Sequence, residues 1–177
     1  MRAEADPPRG LLPIEITPMR RRHVREVLEI ERQVYPRPWS AALFFSELSQ
    51  RKTRHYVVAI EEHRLVGYGG LMVHQGEGHI TTIATDPLVQ HRGVGTRIML
   101  NLFDEARARA ATSIALEVRV ANWPAQRLYA WFGFRPVGVR RNYYAETGED
   151  ALVMWVENVQ SYEITERLAR IRGAVGL

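Results

Sequence analysis

The chain has 177 residues, 46% of them hydrophobic and 25% charged, with a net charge of +4 at pH 7; that composition suits one folded domain with a real core and excludes a largely disordered chain. It contains no cysteine, which removes disulfides and thiolate metal sites and leads us to expect a reducing, cytoplasmic setting. No stretch approaches the roughly 20 apolar residues of a membrane span, and the aromatic residues do not interleave with a basic stripe, so neither a membrane nor direct nucleic-acid binding is expected.

In chain order, residues 1–13 lack a hydrophobic signal core and read as a disordered leader. "IEIT" (14–17) reads as a short strand. "PMRRRHVREVLEIERQVY" follows as a helix with Val24, Val27 and Leu28 on one face. Pro36 and Pro38 end it, and Ser40 caps a second helix through "AALFFSELSQ". "HYVVAIEEHRLVGYGGLMV" reads as two strands about a tight Glu61–Arg64 turn. A further strand, "GHITTIAT" (78–85), stops at Asp86-Pro87.

Next comes "QHRGVGT", directly ahead of Val94, Ile98, Leu102 and Ala106, whose four-residue spacing predicts a helix to about Ala110. "SIALEVRV" (113–120) is a strand with Ile114, Leu116, Val118 and Val120 on one face, leaving Ala115, Glu117 and Arg119 on the other. "NWPAQRLYAWFGF" predicts a helix from Asn122 towards Gly133, with Leu128, Trp131, Phe132 and Phe134 as core. "RPVGVRRNYY" and "DALVMWVEN" make a terminal strand pair around "AETGED". The tail at 158–177 is compatible with a helix outside the core. Strands joined by hairpins and interrupted by helices imply a mixed α/β sheet.

The glycine turn has a physical use. A helix N-terminus leaves N–H groups unpaired at the positive end of the macrodipole, and glycine lets a ligand approach the backbone closely. "QHRGVGT" therefore suits an anion such as phosphate. It lacks the Gly-Lys-Ser/Thr ending of an ATP-type phosphate loop, and "GYGG" at 67–70 sits inside a strand pattern with no helix after it.

"QHRGVG" and "NWPAQRLYAWFGF" together resemble the two half-signatures of the GNAT acetyltransferase superfamily. "PWS", "IATDP", "LEVRVAN" and "RRNYY" resemble more narrowly its ribosomal-protein-alanine N-acetyltransferase (RimI-type) family. The resemblance spans roughly residues 14–157 and implies a GNAT domain there. The implied fold is α/β (α+β): a mixed, mostly antiparallel central sheet, splayed for acetyl-CoA, with helices on both faces.

It also implies acetyl-CoA as acetyl donor, with no metal. Ile83, Ala84 and Thr85 would bond the pantetheine arm through their backbones. His91, Arg92, Gly93, Val94, Gly95 and Thr96 would receive the pyrophosphate, and Asn122 would contact the cofactor. His91 and Thr96 stand where relatives often carry Arg or Lys. Glu117 matches the general base and Tyr129 the general acid, while Tyr143 and Tyr144 are candidates for the acceptor site.

The chemistry fits these residue types. An α-ammonium has a pKa of about 8 against about 10.4 for lysine, so one carboxylate removes its proton more easily. A backbone N–H on "TTIAT" is the candidate oxyanion donor. Glu31, Glu77, Glu146, Glu149 and Asp150 could face a basic peptide. The resemblance implies as acceptor the N-terminal alanine of small ribosomal subunit protein eighteen. The alternatives are a small amine or another protein as acceptor, or a non-catalytic acetyl-CoA-binding regulatory module.

Overall fold

The computed structural model describes residues 13–177, so all but the last residue of the expected leader lies outside the described residues. The elements run β1 (Ile14–Pro18), α1 (Val24–Val34), α2 (Ala41–Ser49), β2 (Arg54–Glu61), β3 (Arg64–His74) and β4 (Glu77–Thr85), then α3 (Val94–Ala108). They continue with β5 (Ser113–Arg119), α4 (Trp123–Trp131), β6 (Arg135–Tyr144), β7 (Glu149–Glu157) and α5 (Tyr162–Ala174).

The strands form one sheet in the order β1-β2-β3-β4-β5-β7-β6. All neighbours are antiparallel except β4 and β5, which are parallel. On β2, Val57 and Ala59 enter one core while Tyr56 and Val58 enter the other, the period of two of a strand buried on both faces. The first core is closed by α3 and α5 through Ile98, Leu102, Phe103, Leu168 and Ile171. The second is closed by α1 and α2 through Val27, Ile30 and Phe44.

The sheet is split near its centre. β4 and β5 pair only at Glu77–Ser113, Gly78–Ile114 and His79–Ala115. Gly78 permits that contact, since a Cβ there would come within 3.2 Å of the Ser113 carbonyl oxygen. Past His79 both strands continue, to Thr85 and Arg119, without pairing to each other. The expected splay is present, and it leaves unpaired backbone edges facing a gap.

Several local expectations change. The segment after β1 is not one helix: Arg20 N–H donates to His23 Nδ1 at 3.1 Å, holding a separate 3-10 turn at Arg21–His23 before α1 begins. The buried face of α1 is Val24, Val27, Ile30 and Glu31, with Leu28 only half-buried. Val120 lies past the end of β5 and Trp131 is exposed, whereas Phe132 and Phe134 are buried as expected. The tail helix does not lie outside the core. Ile164, Leu168 and Ile171 of α5 are buried in it, and Arg172 grips Asp104 of α3 at 2.5 and 2.6 Å. No described helix is long and apolar enough to cross a membrane.

Candidate active site

Two cavities meet in the gap between β4 and β5. One, of about 440 Å³, runs along Ile83–Thr85, the turn before α3 and the start of α4. The other, of about 530 Å³, lies between the α1–α2 loop, the two central strands and the β6–β7 turn. They share Tyr35, Ile83, Glu117, Arg119, Tyr129 and Tyr144. A further cavity, of about 680 Å³, lies elsewhere, between α2 and β2, and does not reach Glu117.

The glycine turn forms the end wall of the first cavity. Gly93 is the N-cap of α3 at φ +79°, and His91 before it has φ +63°. The left-handed conformation thus falls at Gly93, not Gly95. The first-turn N–H groups of α3 have no intrahelical acceptor, and His91 and Gly93 through Thr96 line the cavity. A Cβ at Gly95 would meet Leu128 Cδ2 at 3.4 Å and Thr85 Oγ1 at 3.7 Å. That leaves room for a ligand only while no larger side chain stands there. Arg92 departs from expectation: its guanidinium pairs with Glu61 of β2 at 2.6 and 3.1 Å and does not line the cavity.

Strand parity sorts the β4 residues. Asp86 N–H donates to the Val66 carbonyl, so by antiparallel alternation Ala84 directs its backbone groups at β3, where it faces Tyr68. Ala84 therefore cannot offer the cofactor a free N–H or carbonyl. Ile83 and Thr85 point theirs into the gap, but the Ile83 carbonyl already accepts from the Tyr35 hydroxyl at 2.7 Å. The open groups are the Ile83 N–H and both backbone groups of Thr85. On α4, the Asn122 side-chain oxygen accepts from Ala125 N–H at 3.2 Å as the N-cap. Asn122 also lines the cavity, and Pro124 falls in the first turn, where its missing N–H costs nothing.

Glu117 projects from β5 into the gap, its side chain 11% exposed. One oxygen lies 2.6 Å from His79 Nε2, the other 3.4 Å from an Arg140 nitrogen. The His79 hydrogen bond holds the carboxyl below its ordinary range; burial opposes this, and the His79 and Arg140 charges reinforce it. Glu117 is an anion throughout the neutral range. Tyr129 is 6% exposed and packs edge-on against Phe134. Burial, helped by Tyr35 and Tyr144, pushes its hydroxyl well above its ordinary value of 10, and no hydrogen bond offsets this. It therefore stays protonated at neutral pH.

Tyr143 and Tyr144 pack edge-to-face, ring centroids 5.1 Å apart, and both line the second cavity. Glu77 does not reach it, because it sits two residues back at the closed end of the split. Glu146 and Glu149 are not free acids: each pairs with Arg119 at 2.7 Å. Asp150 accepts from Asn142 N–H at 2.8 Å.

Two residues with no role in the sequence reading emerge here, and a third, Glu31, expected to face a basic peptide, is buried instead. His79 is the partner of Glu117, and Arg119 gathers the β6–β7 turn. Glu31, 1% exposed, accepts from Trp39 N–H at 2.9 Å and bonds the Tyr68 hydroxyl. It thereby holds the α1–α2 loop against the second cavity. A signal for Glu31 was present: it lies four residues after Val27, on the apolar stripe of α1. No such signal marks His79, whose meeting with Glu117 depends on the register between two strands far apart in sequence.

Residues 24–134 match the acetyltransferase (GNAT) family. The chain belongs to that family. It is an acetyl-CoA-dependent N-acetyltransferase with the mixed, split sheet expected of the fold. It is 37% identical to the N-alpha-acetyltransferase RimI of Mycobacterium tuberculosis over 148 residues, covering 80% of this chain and 91% of that one. It is 34% identical to the ribosomal protein bS18-alanine N-acetyltransferase of Salmonella typhimurium, covering 71% and 85%. The crystal structure of the Escherichia coli ribosomal-protein-S18-alanine N-acetyltransferase superposes with a TM-score of 0.75 at 28% identity, covering 82% of this chain and 94% of that one.

Proposed function

We propose that this acetyltransferase moves the acetyl group of acetyl-CoA directly to the α-amine of an N-terminal alanine, that of ribosomal protein bS18. The acceptor is taken from the similarity to enzymes of that name. The observation that carries the mechanism is the meeting of the two cavities at Glu117 and Tyr129.

In this reading the donor's pyrophosphate rests on the N-terminus of α3 and its amide arm runs along the open edge of Ile83 and Thr85. Asn122 contacts it from α4. The thioester then lies in the gap, with the Ile83 N–H the nearest open donor for its carbonyl oxygen. The acceptor enters through the second cavity, past Tyr143 and Tyr144. Glu117 takes one proton from the α-ammonium, directly or through one water. The neutral nitrogen attacks the thioester carbonyl carbon and the C–S bond breaks as Tyr129 donates its phenolic proton to the sulfur; the second proton shed by the nitrogen restores the phenol, and Glu117 passes the first to solvent. The products are the acetamide and the free thiol, with net release of one proton. No cysteine is present to carry an acyl-enzyme.

The test is a panel of peptides differing in the first residue, each with internal lysines, incubated with acetyl-CoA and read by mass spectrometry. Acetylation at the α-amine of the alanine peptide is expected. Acetyl groups only on lysine, or transfer only to small polyamines, would refute the acceptor while leaving the acetyltransferase assignment intact.

A further inference from the structure

Arg119 ends β5 two residues after Glu117, on the same face of the strand, and its side chain is 17% exposed. One terminal nitrogen donates to Thr147 Oγ1 at 2.8 Å and to Glu149 Oε1 at 2.7 Å. The other donates to Glu146 Oε1 at 2.7 Å. The guanidinium also lies 3.9 Å from the centroid of the Tyr144 ring. Glu146 and Thr147 lie in the connection between β6 and β7, and Tyr144 and Glu149 are the strand residues that flank it.

The connection's other ties are at its base: the Tyr144–Glu149 pair and the Asn142 N–H bond to Asp150 at 2.8 Å. The β6–β7 ladder is irregular between Arg140 and Tyr144, where Asn142 takes φ +50°. The β5–β7 ladder ends at Arg119–Ala151, followed by one more backbone bond from Val120 N–H to the Asp150 carbonyl at 3.2 Å, and the turn projects beyond it. Backbone bonds from Thr147 and Gly148 to the Tyr144 carbonyl close the turn on itself but do not aim it. A fork of charge-assisted bonds combined with a stacked ring does aim it, and a lysine cannot reproduce that planar fork.

We propose that Arg119 is a positioning residue for the acceptor: it clasps the β6–β7 turn across the mouth of the second cavity and so sets Tyr143 and Tyr144 where the acceptor enters. The inference rests on the acceptor reading above. It assigns Glu146 and Glu149 to the clasp, leaving the recruitment of basic peptides to other groups. It also joins the strand that carries the base to the wall that holds the amine, so a displaced turn displaces the amine relative to Glu117.

The test uses the full chain with the N-terminal alanine peptide. Arg119→Met should raise the peptide KM at least about tenfold, the scale expected for losing charged hydrogen bonds, while acetyl-CoA affinity changes little. Amide hydrogen exchange over residues 140–149 should quicken, while exchange in β2 and β3 stays unchanged. Arg119→Lys should recover only part of the loss. A chain carrying Glu146→Gln and Glu149→Gln should raise the peptide KM in the same direction. Adding Arg119→Met to that pair should then cost much less than it does alone, because both changes release one clasp. Fully additive effects, or a raised KM with unaltered exchange, would overturn the proposal. Should the wild-type chain acetylate no N-terminal peptide at all, the acceptor reading itself fails, and this inference falls with it.

Discussion

Replacing Glu31 by glutamine should change how stability depends on pH. Burial pushes the Glu31 carboxyl up from an ordinary 4.5 to about 7, against the lowering effect of the Trp39 N–H. Below pH 4.5 the acid is neutral in both folded and unfolded chains, and its contribution is fully present. Between 4.5 and 7 the unfolded chain has released the proton while the folded one retains it, so stability falls as pH rises. Above 7 both forms are ionised and the loss is complete. At roughly 1.4 kcal/mol for each pKa unit the interval corresponds to about 3 kcal/mol, a large part of a typical domain stability of about 5–15 kcal/mol. Glutamine keeps the shape, can accept from Trp39 N–H and bond the Tyr68 hydroxyl, and cannot ionise. Urea denaturation at pH 5 and pH 8, extrapolated to water, should show a smaller fall for Glu31→Gln than for wild type, by up to about 3 kcal/mol. Equal falls in the two proteins would refute the account of Glu31 as a buried acid. Tyr35 nearby, pushed up to about 12 by burial, titrates too high to mimic the effect.

Other substitutions test the gap itself. Gly95→Val should weaken acetyl-CoA binding in calorimetric titration far more than it lowers the unfolding midpoint, since its γ-carbons must occupy the cavity between Leu128 and Thr85. Gly93→Ala should act the other way round and lower stability by about 1 kcal/mol, because an alanine resists φ +79°. Tyr129→Phe should cut turnover on the order of 10²–10⁴, the range for a general acid, with acetyl-CoA affinity kept; thiol release measured beside calorimetry separates the two. His79→Ala removes the hydrogen bond that does most to hold Glu117 low. The acid limb of the kcat/KM profile should therefore move towards neutral pH, and an unmoved limb would mean that Glu117 is not the titrating base.

What could be read in advance, and what could not, follows from the range of the interactions. The turn before α3 was legible because its requirement is local: a positive φ and an unobstructed helix start are properties of a few consecutive residues. The placement of Glu117 was legible because alternation along one strand fixes its face. Glu117's partner was not, since His79 lies 38 residues away and meets it through the only parallel pairing in the sheet. The same holds for Arg119, whose acidic partners read as a peptide-facing patch until the hairpin register brings them under one guanidinium. The α5 tail misled for another reason. Its apolar residues Ile164, Leu168 and Ile171 form a plain amphipathic stripe, and nothing in such a stripe says which surface it covers.

The split between β4 and β5 also sets the thermodynamic character of donor binding. A parted sheet has two raw edges, the kind of backbone that elsewhere invites pairing with another chain. Here those edges face each other inside the molecule, across the gap that Glu117, Tyr129 and Tyr35 line. In the donor pose proposed above, a linear ligand with amides laid along Ile83 and Thr85 would act as the missing strand. It would complete a ladder more than fill an apolar hole. Binding of that kind should be driven by enthalpy, with a heat-capacity change small for its affinity, and should slow amide exchange along the open edge of β4.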